Sequence, residues 1–222
     1  MDDFFAGVES RKDAWPAGRA DLHWHVLFDT EQVRTALTDP YTELTHRPGI
    51  EPVAPEWLHM TVLHSGPQDD ASAVEIARII EGVRVCAADI DPFTVTFSQP
   101  SPGNVAIECL GRPGPPARAL WEMTWQQTRA VVGDRWPWIP GTYWPHVSLG
   151  YAAGPEAAGV DRAALKAWLS DHGRGEVTLR ADRLVYVGQY HDRREIRWSV
   201  LAEIPLGHTG GGAAADGASP SS

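Results

Sequence analysis

Pro145-His146-Val147-Ser148-Leu149-Gly150-Tyr151 is one half of a pair, and Leu58-His59-Met60-Thr61-Val62-Leu63 is the other. Each stretch sets a His and a hydroxyl residue two apart inside an apolar run suited to a strand. Side chains at i and i+2 of a strand share a face. His59 therefore stands beside Thr61 and His146 beside Ser148, while Met60, Val62, Val147 and Leu149 turn toward a core. Two such strands brought together line a cleft with two imidazoles and two hydroxyls, which is equipment for acid–base chemistry on a phosphate.

The remainder of the chain frames this pair. Its 222 residues suit one sizeable domain or two small intimate lobes. A net charge of −10 argues against broad, sequence-blind binding to long nucleic acid, which needs a basic surface to displace counterions. A small nucleotide or an RNA end in a local pocket stays compatible with that charge. The only two cysteines, Cys86 and Cys109, form no C-x-x-C motif and read as reduced, buried thiols. The start Met1-Asp2-Asp3 shows no basic region followed by a long apolar run, and no apolar stretch reaches membrane-spanning length. A cytoplasmic protein, a monomer with no membrane partner, is expected.

In chain order, residues 1–20 read as a loosely packed lead-in. Leu22 to Phe28 reads as a strand with Leu22, Trp24, Val26 and Phe28 on one face, followed by a short helix capped by Asp29 or Thr30. Four prolines and a Gly between Asp39 and Glu56 predict a long loop before the first motif strand. Ser72 and Glu75 have capping-box spacing for a helix to about Arg84. Phe93–Phe97 and Val105–Leu110 form a strand pair, and Pro113 to Pro116 marks a lobe boundary. A helix from about Ala117 to Val132 leads to the second motif strand. Asp161 caps another helix that stops at Gly173, then Val177–Tyr190 and Ile196–Ile204 read as two long strands. From Gly207 the composition is that of a disordered Gly/Ala/Ser tail. Each half thus runs helix, motif strand, helix, strand, strand. The fold class expected is α+β: a domain over 21–206 with lobes at about 21–112 and 113–206, duplicated antiparallel sheets and flanking helices about a pseudo-twofold axis, and a central cleft.

One H-x-[ST] match is cheap in a chain with nine His. The pair carries more, because both occupy the same slot in the duplicated order and no other His has Ser or Thr two places on. His59-Met60-Thr61-Val62 and Pro145-His146-Val147-Ser148-Leu149 resemble the paired H-x-[ST]-hydrophobic signatures of the 2H phosphoesterase superfamily, in its 2′-5′ RNA ligase-like and cyclic phosphodiesterase branch. The resemblance covers about residues 21–206, and Leu184–Val187 with Ile196–Val200 is similar to that family's closing hairpin. The chain departs from the pattern in Ser148, where Thr is commoner, and in the Pro-rich loop before His59. The resemblance implies metal-independent cleavage of a 2′,3′-cyclic phosphate or a 2′-5′ linkage, with ligation as its reverse.

The residues themselves can do that chemistry. One His takes a proton from the attacking group while the other gives one to the departing alkoxide. Thr61 and Ser148 donate to the non-bridging oxygens, where charge gathers. No cofactor or metal is called for, since no H-E-x-x-H or comparable ligand run is present. Which His is acid and which base stays open. Candidate substrate contacts are His25, on the first strand, and three aromatics able to stack on a base: Tyr143, Trp144 and Tyr186. For each aromatic, core packing is the competing reading, and for His25 a partly exposed sheet position. His64, at the end of its strand, reads as a loop residue. The partner expected is a small nucleotide or RNA end, and the alternative to an enzyme is a non-catalytic nucleotide-binding module of the same fold.

Overall fold

The structure is a computed structural model that describes residues 1–137 and 143–207. The tail expected over 207–222 lies outside the described residues except for Gly207. Helix α1 (Phe4–Ser10) precedes strand β1 (Asp21–Val26). Helix α2 (Thr30–Val33) continues through a π-turn and a 3-10 turn into α3 (Thr42–Thr45). Then come β2 (Ile50–Pro52), motif strand β3 (Met60–Pro67), α4 (Ala73–Ala87), β4 (Phe93–Phe97), β5 (Ser101–Pro102), β6 (Ala106–Arg112) and α5 (Gly114–Val132). Motif strand β7 (His146–Ala152), α6 (Arg162–His172), β8 (Val177–Ala181), β9 (Arg183–His191) and β10 (Ile196–Pro205) complete the chain.

The strands form two antiparallel sheets, ordered β10-β9-β1-β3 and β2-β7-β6-β4-β8, with β5 paired to β6. In each sheet a motif strand lies beside a central strand, β3 by β1 and β7 by β6. The boundary expected near 112/113 falls between β6 and α5, yet both sheets draw strands from both sides of it. In chain order, strand β2 joins the second sheet between β1 and β3 of the first, β4 enters the second sheet after α4, and the chain returns to the first at Asp182, where the run expected as one long strand splits into β8 and β9. The two halves are therefore interlocked. Helices α4 and α5 pack on each other, with α5 against β3 and α4 against β10, and α6 lies by β5.

Local chemistry explains these elements. The Ser72 hydroxyl accepts from the Glu75 amide while the Glu75 carboxylate accepts from the Ser72 amide, a complete capping box starting α4. The same carboxylate takes Arg135 at 2.6 Å, and that guanidinium with the cap holds it down at about 2, tying α4 to the segment after α5. Asp161 caps α6 on the amides of Ala163 and Ala164. The face expected for β1 is the face found: Leu22, Trp24, Val26 and Phe28 all enter the main core.

Two expectations need correction. The stretch 39–56 is not all loop, because β2 within it pairs with motif strand β7, Pro52 opposite Gly150. Its prolines are tolerated because β2 is an edge strand. Residues 1–20 are not loosely packed either: Phe5, Val8 and Trp15 are buried in a second apolar cluster with Tyr151, Val187 and Trp198. The close approach of Gly66 to Trp136 carries a prediction. A Cβ on Gly66 meets the indole ring at 2.4 Å, so Gly66→Ala is expected to destabilise by about 1–3 kcal/mol. Thermal unfolding checks it, as a drop of roughly 2–10 °C.

Candidate active site

The two motif strands come within contact of each other, and His59, Thr61, His146 and Ser148 line one cleft of about 230 Å3. The two imidazoles are held alike. His59 Nδ1 lies 2.8 Å from the Trp57 carbonyl and His146 Nδ1 lies 3.0 Å from the Trp144 carbonyl, each two residues back. A carbonyl only accepts, so each Nδ1 carries the proton and each neutral ring keeps Nε2 as its basic nitrogen. Local backbone thus sets the tautomer twice, by the same device.

Both motif strands also carry a bulge at equivalent places, just after the motif hydroxyl, and β3 has a second one at Ser65. Along β1 and β3 the register passes from His25↔Thr61 to Trp24↔Leu63, leaving Val62 extra. Along β6 and β7 it passes from Glu108↔Ser148 to Ile107↔Gly150, leaving Leu149 extra. A bulge re-aims the side chains that follow it. Strict alternation assigns His64 and Tyr151 to the apolar face. With the bulge, the third residue after each motif hydroxyl, His64 and Tyr151, turns into the cleft. Burial pushes the Tyr151 phenol up to about 12, with the adjacent Ser148 hydroxyl working against that shift.

The environments of the two motif histidines differ. His59 is only 8% exposed, stacked face to face on His25 at 4.2 Å and edge-on to Trp198 at 4.9 Å. Burial, reinforced by the His146 charge, lowers it to about 4 in spite of the Trp57 carbonyl, so it is neutral near pH 7. His146 is more open, and its Nε2 lies 4.0 Å from the Glu108 carboxylate, an ion pair whenever the ring is protonated. In the cleft wall, His23 stacks on His64 at 4.2 Å, and His64 Nε2 lies 2.9 Å from Asp21. Arg19 grips the same carboxylate at 2.7 and 2.9 Å. Burial works to raise the Asp21 carboxyl, and His64 and Arg19 outweigh it, holding the group below its usual range.

The aromatic residues expected to touch substrate do not line the cleft. Tyr186 is fully buried on the opposite face of its sheet, stacked on Trp24 at 4.3 Å. Tyr143 packs in the main core near Trp121, and burial raises both phenols. Trp144 is 67% exposed, and what it offers the site is its carbonyl. His25 is not partly exposed but fully buried behind His59, and burial drives it well below an ordinary imidazole. In their place the cleft has His23, His64, Glu108, Tyr151 and Gln189. The paired apolar residues Val62-Leu63, both fully buried, were the available sign that alternation fails in β3. Among the described residues no group of three or more His, Cys, Asp or Glu is arranged to hold a metal ion, and no helix is long and apolar enough to cross a membrane. Cys86 and Cys109 are free thiols, Cys109 buried and pushed up to about 12 by that burial, Cys86 only half-buried.

Solved structures share this fold at low sequence identity. The crystal structure of TT0787 of Thermus thermophilus superposes with a TM-score of 0.65 at 18% identity, covering 84% of this chain and 97% of that one. The Escherichia coli LigT structure complexed with 3′-AMP gives a TM-score of 0.60 at 16% identity, covering 85% and 99%. No curated protein matches by sequence. The sequence profile of the 2′-5′ RNA ligase superfamily matches residues 31–193, a span that includes both motif strands. With that profile spanning well over half of its length, the chain belongs to the 2′-5′ RNA ligase superfamily.

Proposed function

We propose that this phosphoesterase-type enzyme opens 2′,3′-cyclic phosphates, or cleaves 2′-5′ linkages, of small nucleotides or RNA ends, with His59 and His146 exchanging the protons. The observation that carries the reading is the shared cleft, in which two rings with the same fixed tautomer flank two hydroxyls. His59, neutral at pH 7, takes the proton of the attacking water at Nε2. The water oxygen bonds to phosphorus as the bond to one ribose oxygen breaks. His146, which pairs with Glu108 when it carries a second proton, gives its Nε2 proton to that departing oxygen. The product is a ribose phosphomonoester, and with a ribose 5′-hydroxyl in place of water the same exchange joins that end to the phosphorus as the ring P–O bond breaks. Thr61 and Ser148 donate to the non-bridging oxygens, so the reading needs no metal. LigT's structure with 3′-AMP supports a small nucleotide as the occupant.

The test is turnover of nucleoside 2′,3′-cyclic phosphates and of 2′-5′ against 3′-5′ dinucleotides, with and without EDTA. Ring opening or 2′-5′ cleavage unaffected by EDTA is expected. Tight nucleotide binding with no turnover of any substrate would overturn the reading in favour of a binding module. The hydroxyls give a graded check: Thr61→Val, which keeps shape and removes the donor, should lower kcat roughly 100-fold, and Ser148→Ala a comparable amount. Steady-state kinetics on a cyclic nucleotide reads both.

A further inference from the structure

The superfamily profile begins at residue 31, so α1 and the chain up to Arg19 lie outside it. This segment nevertheless builds part of the cleft wall, through Phe4, Val8, Arg11 and Trp15. It is fastened beside a strand of each sheet, to the chain just after β7 in one and at the end of β9 in the other. On one side the Met1 amino group donates to the Ala157 carbonyl at 3.0 Å, and Asp3 accepts from the Gly154 amide at 2.9 Å. On the other, the Trp15 carbonyl accepts from His191 Nε2 at 2.9 Å, Phe5 stacks on His191 at 5.1 Å, and Arg193 pairs with Glu9 at 2.9 Å. Phe5 and Trp15 are almost wholly buried, which fixes the segment as a wall and not a lid.

The chemistry of that wall is directed. Phe4 packs on Tyr151 at 4.4 Å, beside the Ser148 hydroxyl, so the segment reaches the motif of β7. Arg11 is the sole Lys or Arg among the described residues that line the cleft. Its own partners are weak: Nε lies 3.4 Å from the Asp13 carbonyl and 3.6 Å from the Asp13 carboxylate, and about a third of the side chain stays exposed. It stands near enough to His23 for its charge to lower that ring further. The chain as a whole carries −10, so an anionic ligand entering the cleft meets its one fixed guanidinium here.

We propose that residues 4–15 form a substrate-binding element of this chain, in which Arg11 holds an anionic group of the nucleotide, and Phe4, Val8 and Trp15 wall its apolar part. The assignment rests on the phosphodiesterase reading and names a residue that sets its substrate affinity. An Arg fork donates two hydrogen bonds to a phosphate oxygen pair, a geometry Gln cannot match and Lys matches only as a point charge.

The test compares the full chain with Arg11→Gln, Arg11→Lys and a distant control, Arg84→Gln. Two readouts are taken: KM and kcat on a nucleoside 2′,3′-cyclic phosphate, and the calorimetric Kd for adenosine 3′-monophosphate. Arg11→Gln is expected to raise both KM and Kd roughly 10- to 100-fold, the loss of a charge-assisted contact, with kcat much less affected. Arg11→Lys should recover part of the loss, and Arg84→Gln should change neither. KM and Kd both unchanged in Arg11→Gln would overturn the proposal. If the parent chain turns nothing over and Arg11→Gln still weakens the nucleotide, the phosphodiesterase reading falls and the binding element stands. Turnover with no Arg11 effect removes the binding element and leaves the phosphodiesterase reading in place.

Discussion

Alanine at His146 is expected to lower kcat/KM on a nucleoside 2′,3′-cyclic phosphate by roughly 100- to 10,000-fold, the span over which positioned acids and bases act. A similar loss is expected at His59, where asparagine is the better probe because alanine would open a hole between His25 and Trp198. The loss should fall on kcat and spare KM, since Thr61 and Ser148 still face the phosphate. The double variant should lose little more than the worse single one, because the two rings serve one concerted proton exchange. The pH profile adds a sharper check. His59 sits at about 4 in the free protein, so the acid limb of kcat/KM falls near pH 4 and not near the value of an ordinary imidazole. Rates read by rapid pH-jump would show it. Full activity in both variants, or an acid limb near pH 6.5, would remove His59 from the role of base.

How far the sequence disclosed this arrangement depended on how local each signal is. The H-x-[ST] pairs, the capping box at Ser72 and Glu75 and the apolar face of β1 are set by neighbours a few residues apart, and all were legible. The partition of strands between sheets is set by long-range pairing. A duplicated element order suggests lobes at about 21–112 and 113–206 within one domain, whereas β2, β4 and β9 each cross to the other sheet. The bulges at Val62 and Leu149 had the same effect on a smaller scale. One extra residue just after each motif hydroxyl reverses the alternation, so His64 and Tyr151 reach the cleft while simple periodicity assigns them to the core side. Tyr143 and Tyr186 were misplaced for a different reason: an aromatic near a motif looks the same in sequence whether it faces solvent, ligand or core. The N-terminal segment looked polar and loose because its few apolar residues, Phe5, Val8 and Trp15, follow no period that continues beyond one short helix.

Folding stability should fall as the pH drops below about 6.5, and the buried histidine array in and behind the cleft wall is the cause. His23, His25 and His59 are buried, and burial holds each ring below its ordinary value, His23 and His25 well below. Neighbouring imidazoles push the same way, because a second positive charge in the stack repels the first. In the unfolded chain these rings titrate near 6.5. Between that pH and their folded values the unfolded state binds more protons, so stability rises with pH across this window and is lost on acidification. For His59 the window runs from 6.5 down to about 4 and is worth on the order of 3 kcal/mol. With three rings protonated only on unfolding, the slope approaches about 4 kcal/mol per pH unit. Set against a typical total of about 5–15 kcal/mol, that is a large part of the stability of a domain. The Asp21 carboxylate adds to stability in the same direction, but its contribution is present above its unfolded value near 3.8 and disappears only below it. Urea unfolding at pH 7.5, 6.0 and 5.0 measures the slope. His25→Phe keeps a ring in the stack between His59 and Trp198 and removes one titrating group whose two nitrogens have no hydrogen-bond partner among the described residues. That variant should lose about a third of the slope and be relatively more stable at pH 5.0 than at pH 7.5. An unchanged unfolding free energy from pH 7.5 to 5.0 would mean that these rings take up protons in the folded protein, contrary to their burial.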